Sequence, residues 1–409
     1  MSKSLHVAGS HAKELQFNIT GSKSESNRLL ILQGLYPQIA IKNLSNSDDS
    51  KVLQAALASQ EGVVDIHHAG TSMRFLTSYF AAKAGRQVQL TGSQRMQQRP
   101  IAVLVDALKQ LDAHIAYQNQ TGYPPLNISG RSITKSQVRI SAQVSSQYIS
   151  SLLLIGATLP QGLVLHLEGK ITSVPYIKMT LALLHELGIK TGFNGQTITV
   201  SPLREIKPIT FTVESDWSSA SYFYSAMALG DYSSIQLGSY KQNSLQGDSG
   251  VATIFKQLGV ATSYNQASHT ITLTKNKQEL PELLKLDLSN MPDLAQTIAC
   301  CCFGLKVPCE LTGLHTLKIK ETDRLVALKT ELEKLGATIG ITNDSLQLEA
   351  RNNFNQNQSI ATYQDHRMAM AFAPLAWVGS LQIQEPEVVS KSYPAFWEDM
   401  AGLGIADFG

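Results

Sequence analysis

The chain repeats itself at a period of roughly seventy residues, and this bounds its fold more tightly than any single motif. Helical segments end again and again on a leucine, then glycine or aspartate, then a small or branched apolar residue. The copies are Leu111-Asp112-Ala113, Leu187-Gly188-Ile189, Leu258-Gly259-Val260, Leu335-Gly336-Ala337 and Leu403-Gly404-Ile405, with leucines 68 to 77 residues apart. A less regular copy fits residues 52–62. A second series keeps the same period independently: Thr71, Ser145, Ser218, Asp293 and Asp365 follow one another at steps of 72 to 75.

The first series marks the ends of amphipathic helices. Ile101, Leu104, Val105, Leu108 and Leu111 form one apolar stripe. The glycine after each helix is expected to supply a left-handed cap, and the residues beyond it to start a strand. The second series marks helix starts. Polar openings at Ser22-Lys23-Ser24, Gly70-Thr71-Ser72, Ser145-Ser146-Gln147, Trp217-Ser218-Ser219, Pro292-Asp293 and Gln364-Asp365-His366-Arg367 lead into segments that are apolar on most sides, which predicts buried helices. Six buried helices, six partly exposed ones and short strands predict an α/β protein of two similar lobes with three repeats each. A length of 409 residues also exceeds what one hydrophobic core supports.

Composition narrows the function classes. Apolar residues at 43% and charged residues at 16% describe an ordinary globular chain. A net charge of +2 without runs of like charge argues against a groove that neutralises many phosphates, so no nucleic-acid partner is expected. Residues 1–10 lack an apolar signal core, and the apolar stretches near Leu152 and Ala299 are too short to span a bilayer, so a cytoplasmic protein without membrane contact is expected. Cys300, Cys301 and Cys302 are consecutive and point in different directions on a helix, so they read as buried apolar thiols and not as a zinc site.

Each polar opening taken alone is explained by N-capping. Capping does not need the Lys, Arg, Gln and His that accompany the caps in several copies. Helix N-termini carry partial positive charge and free amides, so openings that converge would form an anion site. Gly21-Ser22-Lys23-Ser24-Glu25-Ser26-Asn27-Arg28 places hydroxyls, a lysine and an arginine within two turns, without the spacing of a nucleotide-binding loop. Arg74 and Arg95 read more readily as members of structural ion pairs. Arg99 stands before Pro100, a residue suited to the first helical position. Lys320-Glu321-Thr322-Asp323-Arg324 opens the helix bearing Leu325, Leu328, Leu332 and Leu335, and is either a solvated, capped charge run or part of the site. Asp365-His366-Arg367 and Lys391 complete the basic inventory.

Taken in order, GSKSESNR, RMQQRP, VSSQ, KETDR and DHRMAM resemble the 3-phosphoshikimate 1-carboxyvinyltransferase (EPSP synthase) family, from about Gly21 to Phe396. The resemblance implies two lobes, residues 21–214 and residues 1–20 with 215–409. Each would hold three βαβαββ units in an inside-out α/β barrel, with the active site in the cleft between lobes. It implies that Lys23, Ser24, Arg28, Ser145, Ser146, Gln147, Ser173, Tyr176, Asp293, Thr316 and Lys320 bind shikimate 3-phosphate. Lys23, Gly70, Arg99, Gln147, Arg324, Arg367 and Lys391 match the phosphoenolpyruvate positions. Asp293 is the expected base, with Glu321 and Lys23 sharing the proton transfers. No cofactor and no metal are expected, both substrates are small molecules, and a monomer is the expected state.

The sequence departs from the family pattern at His67-His68, where Gly-Asn is usual, at Phe75, where proline is usual, and at Thr316, often Asn. The first two flank Gly70 and leave the response to glyphosate open. A UDP-N-acetylglucosamine enolpyruvyl transferase would carry a cysteine in its N-terminal lobe, and none precedes Cys300. An RNA 3'-phosphate cyclase would need ATP and a nucleophilic histidine. The remaining alternative is a catalytically inactive anion-binding homologue.

Overall fold

The computed structural model describes residues 2–7, 14–59, 61–143 and 145–407. The repeat is visible as a supersecondary unit, and the copy beginning at Gly62 shows its plan. Strand Gly62–Asp65 leads to the buried helix Gly70–Ala82 and then to strand Gln87–Thr91, which lies parallel to the first. The amphipathic helix Ala102–Gln110 follows, and then strands His114–Tyr117 and Leu126–Ser129. The last strand pairs antiparallel with the second and the third, so the sheet order is first, second, fourth, third. Five four-stranded sheets share this order and these directions among the described residues.

The first copy is shorter than expected. Strand Ile39–Lys42 pairs only with Ile209–Thr212, and the amphipathic helix Asp48–Ala58 is followed at Gly62 by the next copy's first strand. The intervening residues are too few for two more strands, so this copy is βαβα and not βαβαββ.

The chain forms two compact units, Gly21–Val213 and Met1–Thr20 with Glu214–Gly409. In the first unit the buried helices Lys23–Leu35, Gly70–Ala82 and Ser146–Gly156 pack through small hydroxyl residues. Ser78 Oγ lies 2.6 Å from Ser151 Oγ, and Ser151 donates to the Arg74 carbonyl at 2.6 Å. These contacts satisfy polar atoms that burial would otherwise leave unpaired.

In the second unit the N-terminal segment supplies two strands. Ser2–Val7 runs antiparallel between Leu381–Gln384 and Ile405–Asp407, and Glu14–Phe17 runs parallel to Ser234–Gly238. One short segment therefore completes the last copy and begins the copy that contains Ser234–Gly238. Trp217, fully buried, packs edge-on against Tyr240 at 4.8 Å in the core. Cys300, Cys301, Cys302 and Cys309 are free and buried there, and burial pushes the Cys301 thiol up to about 12.

Two expected helices carry a 3-10 segment at one end. A 3-10 turn Pro292–Leu294 precedes Ala295–Leu305, and Ala373–Trp377 continues His366–Phe372 as 3-10 because Pro374 has no amide to donate. Pro100 also misses its expected place, since the helix after it starts at Ala102. Among the described residues no helix is long and apolar enough to cross a membrane.

The left-handed caps occur as the sequence predicts: Gly188, Gly259, Gly336 and Gly404 have φ of 82°, 84°, 98° and 82°, and Asp112 adopts 67° while pairing with Lys135. A Cβ on Gly188 would meet nothing within 4 Å, so the backbone alone decides its replacement. Gly188→Ala is expected to cost about 1 to 2 kcal/mol, whereas Gly340→Ala, in a strand and equally open, should be near neutral. Urea unfolding of both variants checks this, and equal midpoints would contradict the cap assignment.

Candidate functional site

In residues 21–213 the second and third buried-helix openings meet through their side chains, and the first meets the start of the helix Asp48–Ala58. Lys23, the first residue of its helix, places Nζ 3.5 Å from Asp49 Oδ2, and Asp49 lies in the first turn of the helix Asp48–Ala58. Gln147 donates from Nε2 to Thr71 Oγ1 at 3.2 Å, joining the second and third openings. Ser145 caps the helix Ser146–Gly156, accepting from the Gln147 amide at 3.2 Å.

Gly70 starts its helix beneath two arginines. A Cβ built there would lie 2.6 Å from Arg99 Nη1 and 2.9 Å from Arg74 Nη1. Arg74 donates to the Gly70 carbonyl at 2.9 Å, lies 5.8 Å from the Tyr148 ring, and is almost fully buried. The expected ion pair of Arg74 is not found: among the described residues it has no carboxylate partner, and its Nε has no acceptor. A buried cation stays desolvated at a cost unless an anion compensates it, so this pair of guanidiniums at a helix N-terminus suits a phosphate or carboxylate.

Arg28 is held differently. Its Nε donates to Thr180 Oγ1 at 2.8 Å, Nη1 to the Ser24 carbonyl at 2.8 Å, and Nη2 to Ser150 Oγ at 3.0 Å and the Tyr176 carbonyl at 3.3 Å. Phe75, the residue that departs from the family pattern, lies under the guanidinium at 5.4 Å, and Tyr176 at 6.0 Å. Burial lowers the guanidinium to about 10 against the opposing influence of Tyr176 and Glu25. Most of its donors are engaged within the protein, which makes Arg28 a brace between helices as well as a candidate ligand group. Ser173 precedes the helix Val174–Glu186 with a left-handed backbone, φ 53°.

The second unit assembles a denser cluster around Arg324. The helix Arg324–Lys334 is capped by Asp323, whose side chain accepts from Leu325 and Val326. The buried guanidinium donates to Asp365 Oδ2 at 2.6 Å, Asp293 Oδ1 at 2.8 Å and Glu321 Oε2 at 2.8 Å. Asp365, completely buried, caps the helix His366–Phe372 through the Arg367 amide at 3.0 Å. Arg367 Nη2 reaches Asp293 Oδ2 at 3.1 Å and Ser218 Oγ at 3.3 Å. Lys320 Nζ lies 3.3 Å from Asp293 Oδ1, and Lys391 Nζ 2.7 Å from Glu321 Oε1.

Burial alone would raise the Asp293 carboxyl, but Arg367, Lys320 and Arg324 together hold it well below the usual carboxylate range. Burial lowers the Lys320 ammonium, with Asp293 opposing the shift. Thr316 is buried, and its hydroxyl has no partner among the described residues. Among those residues no group of three or more His, Cys, Asp or Glu is arranged to hold a metal ion. Asp293, Glu321 and Asp365 converge instead on a guanidinium.

The structure thus brings Lys23, Ser24, Arg28, Gly70, Arg99, Ser145, Ser146, Gln147, Ser173 and Tyr176 into one unit, and Asp293, Thr316, Lys320, Glu321, Arg324, Arg367 and Lys391 into the other. Sequence reasoning missed Asp49, Ser150 and Thr180, and placed Ser218 only at a helix start. Each acts on another side chain from a distant part of the chain, and no local spacing announces such a contact.

Comparison with known proteins identifies the family to which the chain belongs. The family model described as EPSP synthase (3-phosphoshikimate 1-carboxyvinyltransferase) matches residues 50–400. A 3-phosphoshikimate 1-carboxyvinyltransferase of Bacteroides fragilis (strain YCH46) is 48% identical over 394 residues, covering 95% of each chain. One of Escherichia coli O17:K52:H18 is 32% identical over 416 residues, covering 94% of this chain and 95% of its own. EPSP synthase of Acinetobacter baumannii has the same fold at a TM-score of 0.80 and 20% identity, covering 99% of both chains. The enolpyruvyl transferase NikO of Streptomyces tendae shares it at 0.74 and 13%, covering 99% of this chain and 98% of its own. On the strength of the family model and of relatives that are nearly half identical along almost their whole length, this chain belongs to the 3-phosphoshikimate 1-carboxyvinyltransferase family.

Proposed function

We infer that the chain transfers the enolpyruvyl group of phosphoenolpyruvate to the 5-hydroxyl of shikimate 3-phosphate, releasing phosphate. The observation that carries this reading is the presence of two cation clusters, one around Gly70 in the first unit and one around Arg324 in the second, the latter holding two carboxylates that can move protons. Two phosphates and two carboxylates of the substrates require that many donors. We read the architecture as two lobes of three repeats, each an inside-out α/β barrel. Lys23, Ser24, Arg28, Ser145, Ser146, Gln147, Ser173, Tyr176, Asp293, Thr316 and Lys320 are assigned to shikimate 3-phosphate. Lys23, Gly70, Arg99, Gln147, Arg324, Arg367 and Lys391 are assigned to phosphoenolpyruvate.

In the first step the 5-oxygen bonds to C2 of phosphoenolpyruvate, its proton passes to a base, and an acid protonates C3 to a methyl group. In the second step the C2–O bond to phosphate breaks, and a methyl proton returns to the protein as the double bond re-forms. Asp293 is assigned as the base, with Glu321 and Lys23 sharing the other transfers. Three cations hold Asp293 ionised but weakly basic. A substrate anion that takes over Arg324 and Arg367 removes much of that restraint and raises the basicity of Asp293 where the hydroxyl arrives.

Phosphate release from the purified protein with both substrates is the decisive assay. Release that needs both of them, with formation of the enolpyruvyl ether, is expected, and its absence under saturating substrates overturns the reading. Asp293→Asn should lower kcat by roughly 10² to 10⁴ and leave shikimate 3-phosphate binding within a few-fold. Turnover near the parent's would move the base to Glu321 or Lys23. Gly70→Ala pushes a methyl against Arg99 and Arg74, so KM for phosphoenolpyruvate should rise by roughly tenfold while that for shikimate 3-phosphate stays nearly constant. Unchanged constants for both would reduce Gly70 to a helix cap.

A further inference from the structure

One buried acid beside the Arg324 cluster has no part in the reaction as assigned. Asp248 lies in the 3-10 turn Gly247–Gly250, and only 2% of its surface is exposed. Its Oδ2 accepts a short hydrogen bond from the Ser218 hydroxyl, while Oδ1 is buried with no partner among the described residues. Ser218, in the first turn of the helix Trp217–Leu229, in turn accepts from Arg367 Nη2 at 3.3 Å. The three residues come from three separate stretches of the chain and form one line from carboxylate to hydroxyl to guanidinium.

We propose that Asp248, acting through the Ser218 hydroxyl, is a positioning residue that fixes the guanidinium of Arg367 for the anionic end of phosphoenolpyruvate. This rests on the assignment of Arg367 to that substrate. A serine hydroxyl has one proton and two lone pairs. Because Asp248 takes the proton, the lone pairs are left for Arg367, and the hydroxyl cannot turn round to donate to the incoming anion. The Nη2 group of Arg367 has two side-chain acceptors, Asp293 and Ser218. Asp293 must loosen its hold when it takes up a proton, so Ser218 is the acceptor that persists. Arg367 Nε has no acceptor among the described residues and is left for the ligand.

Packing does not explain Asp248. A buried carboxylate with one unpaired oxygen is a cost that an apolar residue would avoid. Burial and the nearby Asp293 raise its carboxyl to about 6, opposed by Arg367 and the Ser218 hydrogen bond. A group kept at such a disadvantage next to a substrate-binding arginine fits a role in placing that arginine.

The test is a double-mutant cycle on the full-length enzyme, with Ser218→Ala, Asp248→Ala and the pair together, and with Ser218→Thr and Asp248→Asn as conservative partners. Steady-state phosphate release is measured while each substrate is varied at saturating levels of the other. The expected result is a rise in KM for phosphoenolpyruvate of roughly tenfold in both alanine variants, the loss of one charge-assisted hydrogen bond. KM for shikimate 3-phosphate should stay within about twofold. The double variant should be no worse than Ser218→Ala alone, since both act on one line. Ser218→Thr should stay near the parent, and Asp248→Asn should not lower the melting temperature. An unchanged KM for phosphoenolpyruvate in both alanine variants, a parallel rise for both substrates, or additive losses in the double variant would each overturn the proposal. A parent enzyme that releases no phosphate would instead defeat the underlying assignment, so the two failures are told apart.

Discussion

The guanidinium of Arg324 is the joint on which the second unit depends. It is almost completely buried, and it binds Asp365, Asp293 and Glu321 at 2.6 to 2.8 Å. Burying such a charge is tolerable only with matching partners, and breaking a buried ion pair so that one charge is left uncompensated costs about 3 to 5 kcal/mol. The three carboxylates belong to different segments: the turn before Ala295–Leu305, the loop before Arg324 itself, and the cap of His366–Phe372. One side chain thereby fixes the relative placement of three helix starts. Asp293 and Glu321 then hold Arg367, Lys320 and Lys391 in turn.

Such a meeting point follows from the repeat. Within each unit the first helix of every copy is buried and leaves a strand on the same side, so the openings can touch. Contacts such as Gln147 with Thr71, and Arg367 with Ser218, record that they do. Their amides and partial positive charge then add to the cations placed beside them. The truncated first copy keeps its strand, its buried helix and its amphipathic helix, and loses only the two strands that carry none of these residues. A copy can therefore lose its outer strands while Lys23 and Asp49 stay in place.

Much of this was legible in the sequence because it is periodic. The caps at Gly188, Gly259, Gly336 and Gly404 and the buried helices follow from spacing, which is local physics. The cation-bearing openings were legible as a group for the same reason. Arg74 was misjudged because an arginine's partner lies wherever the fold puts it, and here no carboxylate among the described residues pairs with it. Asp248 was invisible, since a single acid in a loop has no period and gains meaning only through Ser218. The missing strands of the first copy were hidden by a compensating regularity: the helix punctuation near Gly62 survives although the strands after it do not.

The two units handle charge in opposite ways, and the chemistry follows from the contrast. In residues 21–213, Arg74 and Arg28 have no carboxylate partner within salt-bridge distance among the described residues, so an anion arriving there displaces no internal carboxylate from them. In the other unit Arg324 and Arg367 are already paired, so an anion must take them from Asp293 and Glu321. That exchange spends part of the substrate's binding energy on unpairing two carboxylates. With Asp293 assigned as the base, its release from Arg367 and Arg324 lifts the restraint that holds its carboxyl low. Under that assignment, the cations that weaken Asp293 as a base are the same ones whose capture by a substrate anion activates it.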